Sequence, residues 1–252
     1  MALRAGADLL LGPRELPMAF NAVVRAVRDG DLREGRIDES AERILRLKER
    51  LGLLDESFVK VHAAEPSLGT DEHGDVAAAV GRSSVTVLSD RDGWLPLRKG
   101  WDVFLTGPRP EGAGSIAGNL REAGHEVTAA WTGTRPNRKQ IRRAERAAER
   151  HDVTILVTSH LGPNRTQRDL ARRLSATGRR IVVVFGSSPY DVTWLLEAPA
   201  QVATYSTSPV SMRGLARVLT GEIPAMGQLP VRIPGPGGGT LYAFGHGRTP
   251  GR

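Results

Sequence analysis

From residue 85 onward, short apolar runs alternate with amphipathic stretches, and this alternation leaves few architectures open. Residues 85–88, 103–106, 127–130, 153–159, 181–185 and 201–205 read as strands, rich in Val, Ile and Thr. Around them, residues 75–82, 114–123, 137–150, 166–177, 190–195 and 209–219 carry apolar side chains at helical spacing. Strands joined by helices of about 10–14 residues are linked by crossovers, and these build a mostly parallel, doubly wound α/β sheet. Residues 95–97, Leu-Pro-Leu, read as an extended edge piece.

The first 55 residues follow another pattern. AGADLLLGP, residues 5–13, holds Leu9, Leu10 and Leu11 in one run between Gly6 and Gly12-Pro13. Apolar continuity without alternation suits a parallel strand covered on both faces. The residues that follow supply helices instead of partner strands. One spans 17–29, with Phe20, Val23, Val24 and Val27 on one face. A second starts at an Asp38 N-cap, with Ala41, Ile44, Leu45 and Leu51 on its buried side. The strand's neighbours are therefore expected far downstream or outside the chain. Residues 54–74, with Pro66, Gly69 and Gly74, read as turns and loops. The expected organisation is 1–55, a linker at 56–74, an α/β domain at 75–222, and a Pro/Gly-rich tail at 223–252 running over the surface.

With 252 residues, 40% hydrophobic and 25% charged, the chain has the composition of one large or two ordinary globular domains. No run approaches the ~20 apolar residues that cross a bilayer. Residues 1–7 lack the basic-then-apolar build of a signal peptide, and the cellular location stays open. The absence of cysteine excludes disulfides, thiolate nucleophiles and thiolate metal sites. The net charge of +7, mostly arginine, admits a nucleic-acid or anionic partner. The basic residues are not interleaved with aromatics, however, so no specific nucleic-acid partner is expected. The densest run, Arg138, Lys139, Arg142, Arg143, Arg146 and Arg150, reads as the solvated face of an amphipathic helix.

Three constellations could carry chemistry. Gly107, Gly112, Gly114 and Gly118 lie between a strand and a helix, where backbone amides could cradle a phosphate. Their spacing is not GxGxxG, and no acidic residue ends the next strand to hold a ribose. Ser187 and Ser188 follow strand 181–185 in GSSP, but Pro189 and Tyr190 stand where a nucleophile elbow needs glycine. His73, His125, His151, His160 and His246 form no HxH or HxxxH pair, so no metal is expected, and no cofactor either. His160 alone among these falls at the carboxyl end of a parallel strand, where ligands of such sheets gather.

The ordered segments resemble family 3 glycoside hydrolases. AGADLLLGP, NAVVRAVRDG and RIDESAERILRLKERLGLLD look like the last strand and closing helices of that family's (β/α)8 catalytic barrel. SSVTVLSD, WLPL, TGRRIVVVFGSSPYDV, VATYSTS and GQLPVRIP followed by LYAFGHG resemble its C-terminal α/β sandwich domain. Ser188-Pro-Tyr190-Asp191 and Ala203-Thr-Tyr-Ser206 point to the β-N-acetylhexosaminidase branch.

The resemblance implies a barrel remnant followed by a sandwich domain, from an enzyme that hydrolyses β-linked N-acetylglucosamine with retention. In the family order, the nucleophilic aspartate and, in this branch, the acid/base, a barrel-loop histidine backed by an aspartate, both precede AGADLLLGP. In the β-glucosidase branch an acid/base glutamate follows the strand matching 153–159, and here that loop reads Ser159-His160-Leu161-Gly162. No residue is therefore carried over as catalytic, and the chain alone is expected to be inactive. The implied partner is a barrel catalytic domain, in cis or in trans, with the carbohydrate substrate of the whole enzyme. His160, Ser188, Tyr190 and Asp191, on loops facing that barrel, are the candidate substrate-binding residues. A non-catalytic α/β binding module and a nucleotide-binding domain using residues 112–118 remain the alternatives.

Overall fold

The computed structural model describes residues 2–55, 58 and 61–248. Residues 56, 57, 59 and 60 of the expected linker, and 249–252 of the expected tail, lie outside the described residues. Two compact units are present, Met1–Thr70 and Asp71–Arg252.

In the first unit, α1 (Leu16–Arg28) and α2 (Glu34–Arg50) are followed by a one-turn α3 (Val61–Ala64) and a 3₁₀ turn, Glu65–Ser67. Residues 5–13 do not form the expected strand: Leu9 and Leu11 are 63% and 91% exposed, and no strand occurs among the unit's described residues. A strand is stable only when its N–H and C=O groups find a ladder, and this unit offers none. Charge holds the segment instead. Asp8 Oδ1 accepts from Arg36 Nη2, Arg43 Nη1 and Ser40 Oγ, each at 2.9 Å. These bonds hold the Asp8 carboxyl below its usual range. Asp38 is not the N-cap of α2, which starts a turn earlier, after Arg33. The expected apolar faces are only partly covered: α1 buries none of its residues completely, and Phe20, Leu45 and Leu51 are exposed.

The second unit is the α/β domain. Six strands, β1 (Thr86–Asp90), β2 (Asp102–Pro108), β3 (Glu126–Thr132), β4 (Val153–Thr158), β5 (Arg180–Phe185) and β6 (Ala200–Ala203), lie in the order β1-β6-β5-β4-β2-β3. All neighbours are parallel except β1, which runs antiparallel to β6 at one edge. Side-chain alternation assigns each strand two cores. Val103, Leu105, Val182 and Val184 face one layer with Ile116 and Leu120 of α5 (Ala113–Glu122) and Met212 and Leu215 of α8 (Pro209–Leu219). Phe104, Ile181, Val183 and Phe185 face the other, with Ile141 of α6 (Arg138–Ala148) and Leu170 and Leu174 of α7 (Arg165–Ala176). This two-faced winding is the doubly wound sheet that the sequence implies.

The domain's first helix, α4 (Asp71–Ser83), begins before residue 75 and packs on α8 through glycines. A Cβ on Gly214 would stand 2.3 Å from Gly81 O, and one on Gly81 2.7 Å from Val210 O. Residues 95–97 are not a sheet edge; Leu95 and Leu97 are buried in the first core, and Leu97 N–H donates to Leu219 O at 2.7 Å. The tail does more than cross the surface. It forms a small hairpin, β7 (Ile233–Pro234) and β8 (Thr240–Tyr242), and Leu229 and Ile233 are buried in the second core. It also follows the free edge of β1: Gly227 N–H donates to Val85 O at 3.1 Å and Arg248 N–H to Val87 O at 2.9 Å.

Candidate functional site

The winding reverses between β2 and β4: the chain leaves β2 for β3 on one side and re-enters the sheet at β4 on the other. Loops at the carboxyl ends of such strands diverge, and ligands of open α/β sheets bind in the resulting crevice. Residues 159–164, after β4, and 186–194, after β5, meet at the same end of the sheet, beside that crevice. A Cβ on Gly186 would stand 2.5 Å from Thr207 Cγ2, after β6, and 3.2 Å from Thr158 O, at the end of β4, so the backbone there runs tight against both neighbouring strand ends.

His160 is exposed, and its backbone is left-handed, φ 54°. A non-glycine residue in that region stores about 1–3 kcal/mol of strain and needs surroundings that enforce it. They are present. Its N–H donates to Ser187 Oγ at 3.1 Å, and its Nδ1 lies 2.7 Å from Ser159 Oγ. Gln167, in the first turn of α7, is buried. Its Nε2 donates to Ser159 O and Thr134 O, both at 3.0 Å, and its Oε1 accepts from Ser159 N–H at 3.2 Å. Arg168 donates to the carbonyls of Leu161 and Gly162, and its guanidinium lies 4.5 Å from the centre of the Trp194 ring. One helix turn thus clamps both loops.

Asp191 is 6% exposed, and its Oδ2 has no hydrogen-bond partner. Burial pushes its carboxyl above the ordinary range, opposed by the backbone amides of Leu161, His160 and Gly162 and by the charge of His160. Ser188 Oγ accepts from Tyr190 N–H at 3.3 Å, capping the 3₁₀ turn Pro189–Trp194, and Tyr190 is exposed. Of the four candidates, His160 and Asp191 therefore meet across the two loops, Ser188 positions the turn between them, and Tyr190 flanks it. These loops hold one carboxylate, whereas retaining glycoside hydrolysis uses two, about 5 Å apart.

Gln167 and Arg168 were not singled out by sequence reasoning. The signal was the spacing Asn164-x-x-Gln167, which matches Asn137-x-x-Gln140. At α6 that spacing closes a reciprocal capping box. At α7, Asn164 also accepts from Gln167 N–H, but the Gln167 side chain is diverted to Ser159 and Thr134.

The other constellations serve packing. Gly112 N–H donates to Thr207 O at 2.7 Å, and a Cβ there would stand 2.7 Å from Met212. His125, His151 and His246 face the backbone carbonyls of Trp101, Ala147 and Leu88. No group of three His, Asp or Glu able to hold a metal occurs among the described residues. No helix there is long and apolar enough to cross a membrane.

The sequence and fold are similar to those of known proteins. A β-N-acetylglucosaminidase/β-glucosidase of Cellulomonas fimi is 28% identical over 91% of this chain and 44% of its own length. A lysosomal β-glucosidase of Dictyostelium discoideum is 25% identical over 97% of this chain and 36% of its own. The solved family 3 β-N-acetylglucosaminidase of Paenibacillus sp. superposes with a TM-score of 0.64, at 26% identity over 90% of this chain and 45% of that one. The chain thus spans less than half the length of these relatives. Residues 85–247 match the glycosyl hydrolase family 3 C-terminal domain, and the chain belongs to that family.

Proposed function

We propose that this chain is the C-terminal part of a retaining glycoside hydrolase of the β-N-acetylglucosaminidase type, inactive without a barrel that carries the nucleophile and the acid/base. One observation carries the reading. In a domain of this family, the loops after β4 and β5 are clamped together at the carboxyl end of the sheet, yet offer a single buried carboxylate. Such loops can shape a sugar site, and the resemblance places the nucleophile and acid/base in the barrel, so we assign cleavage to the barrel. The sugar preference is supported by the likeness to the Paenibacillus β-N-acetylglucosaminidase and by Ser188-Pro-Tyr190-Asp191.

The test is hydrolysis of aryl β-N-acetylglucosaminide and aryl β-glucoside, by the chain alone and with a family barrel added in trans. Background rates alone, and preferential turnover of the N-acetylated substrate with the barrel, are expected. Turnover by the chain alone that vanishes in His160→Ala would place the machinery inside this chain and overturn the reading. Preference for the glucoside would overturn the sugar assignment.

A further inference from the structure

The positive charge of this chain is not spread over its surface. Residues 137–180 hold twelve Lys and Arg against four Asp and Glu, a net +8, while the whole chain is +7, so all remaining residues together net to −1. Nine of the twelve lie on α6 and α7, which pack side by side over the second core, and all twelve basic side chains except Arg168 are exposed. Two of the four acidic groups already have partners. Glu145 is held by Arg173 at 3.3 Å, and Asp152 accepts from Asp102 N–H at 2.9 Å. Arg138, Arg142 and Arg146 recur every fourth residue, a row with a charge about every 6 Å along the helix axis. Arg142, Arg146 and Arg173 line a shallow groove between the two helices together with Glu145 and Glu149, and Glu145 holds Arg173.

We infer that the α6–α7 face is a docking surface for a linear acidic polysaccharide. Guanidinium groups in rows pair in forked fashion with carboxylates, and weak contacts repeated along a polymer add to useful avidity. Other polyanions fit less well. Residues 137–180 contain no Phe, Tyr or Trp to stack on unpaired bases. Both helices lie flat with their inner sides in the core, so neither stands out to enter a duplex groove. No large apolar side chain is exposed on α6 or α7 to enter a bilayer. The choice of a glycan rests on the glycoside-hydrolase reading above; the charge layer does not.

The test is affinity electrophoresis of the full chain in gels containing polygalacturonate or neutral dextran, at physiological salt where the Debye length is about 8 Å. Retardation by polygalacturonate alone is expected. Arg142→Gln/Arg146→Gln/Arg173→Gln keeps good helix formers and should weaken binding about tenfold. The charge-matched Arg14→Gln/Arg25→Gln/Arg28→Gln should change it less than about twofold, because those residues lie in the other unit. No retardation, or equal weakening by both variants, would overturn the surface. Tighter capture by a DNA duplex or by phosphatidylglycerol vesicles would overturn the glycan. Binding needs no hydrolysis, so these outcomes are independent of whether a barrel restores activity.

Discussion

Gly214→Ala isolates the contact between α4 and α8. The new Cβ would lie 2.3 Å from Gly81 O, 2.8 Å from Gly81 C and 3.2 Å from Arg82 N, all backbone atoms that cannot rotate away. Relief to an ordinary contact moves the helices apart by about 1 Å, a gap that forfeits a quarter to a half of each dispersion contact between them. Overpacking of this kind costs about 1–3 kcal/mol, and the rigid obstacle puts it near the upper end. Alanine's helix preference returns about 1 kcal/mol. The net loss is about 2 kcal/mol, or roughly 4–8 °C in Tm for a domain of this size. Gly118→Ala in α5 is the internal control, with no atom within 4 Å of its Cβ position. It should raise Tm by roughly 1–4 °C. Thermal melts by circular dichroism read both. A Gly214→Ala protein as stable as the parent would refute the close-packing argument, since the propensity term is common to both variants.

Further outcomes follow from other contacts. Gln167→Ala strips Ser159 and Thr134 of three hydrogen bonds and should cost about 2–3 kcal/mol in urea unfolding. The Asp191 carboxyl is raised in the fold, so its contribution is present below the usual carboxylate range and is lost as pH rises through the raised value. Asp191→Asn should thus be more stable than the parent at neutral pH, with the difference closing in acid; a pH-independent difference would contradict the burial account. Asp8 has the opposite sign, contributing above the usual carboxylate range and losing that contribution as pH falls through its lowered value, which an NMR titration of its carboxyl carbon would report. Limited proteolysis should separate the two units and leave a resistant product beginning near Asp71.

The central strands β2, β4 and β5 were legible because each is bounded by polar turns and its Val, Ile and Leu residues must face a core on both sides of the sheet. Ile181 and Val182 illustrate this, one in each core. The antiparallel direction of β1 was not legible, because residue pattern carries periodicity but not orientation. Leu9 to Leu11 misled for a related reason: an apolar run shows what a segment could bury, not whether a ladder is there to receive it. Leu229 and Ile233 went unread because single apolar residues among Pro and Gly make no period. At the candidate site, His160 and Asp191 were proposed from strand ends, and the structure brings them together. The clamp formed by Gln167 and Arg168 was hidden because glutamine and arginine in a first helical turn read as ordinary surface.

The tail along β1 also has a bearing on how the protein behaves in concentrated solution. An uncovered outer strand presents unpaired N–H and C=O groups to any other extended chain, and sheets join edge to edge in this way. Here the carbonyls of Val85 and Val87 are already taken by Gly227 and Arg248, and that of Leu88 lies 2.9 Å from His246 Nε2. Gly227 and Gly247 let the segment lie so close: a Cβ would stand 2.4 Å from Ser84 O in the first case and 2.3 Å from Gly227 O in the second. A variant shortened before residue 227 would lose this cover together with buried Leu229 and Ile233. Its failure would be concentration-dependent association through β1, seen as growing light scattering, before any loss of helical signal.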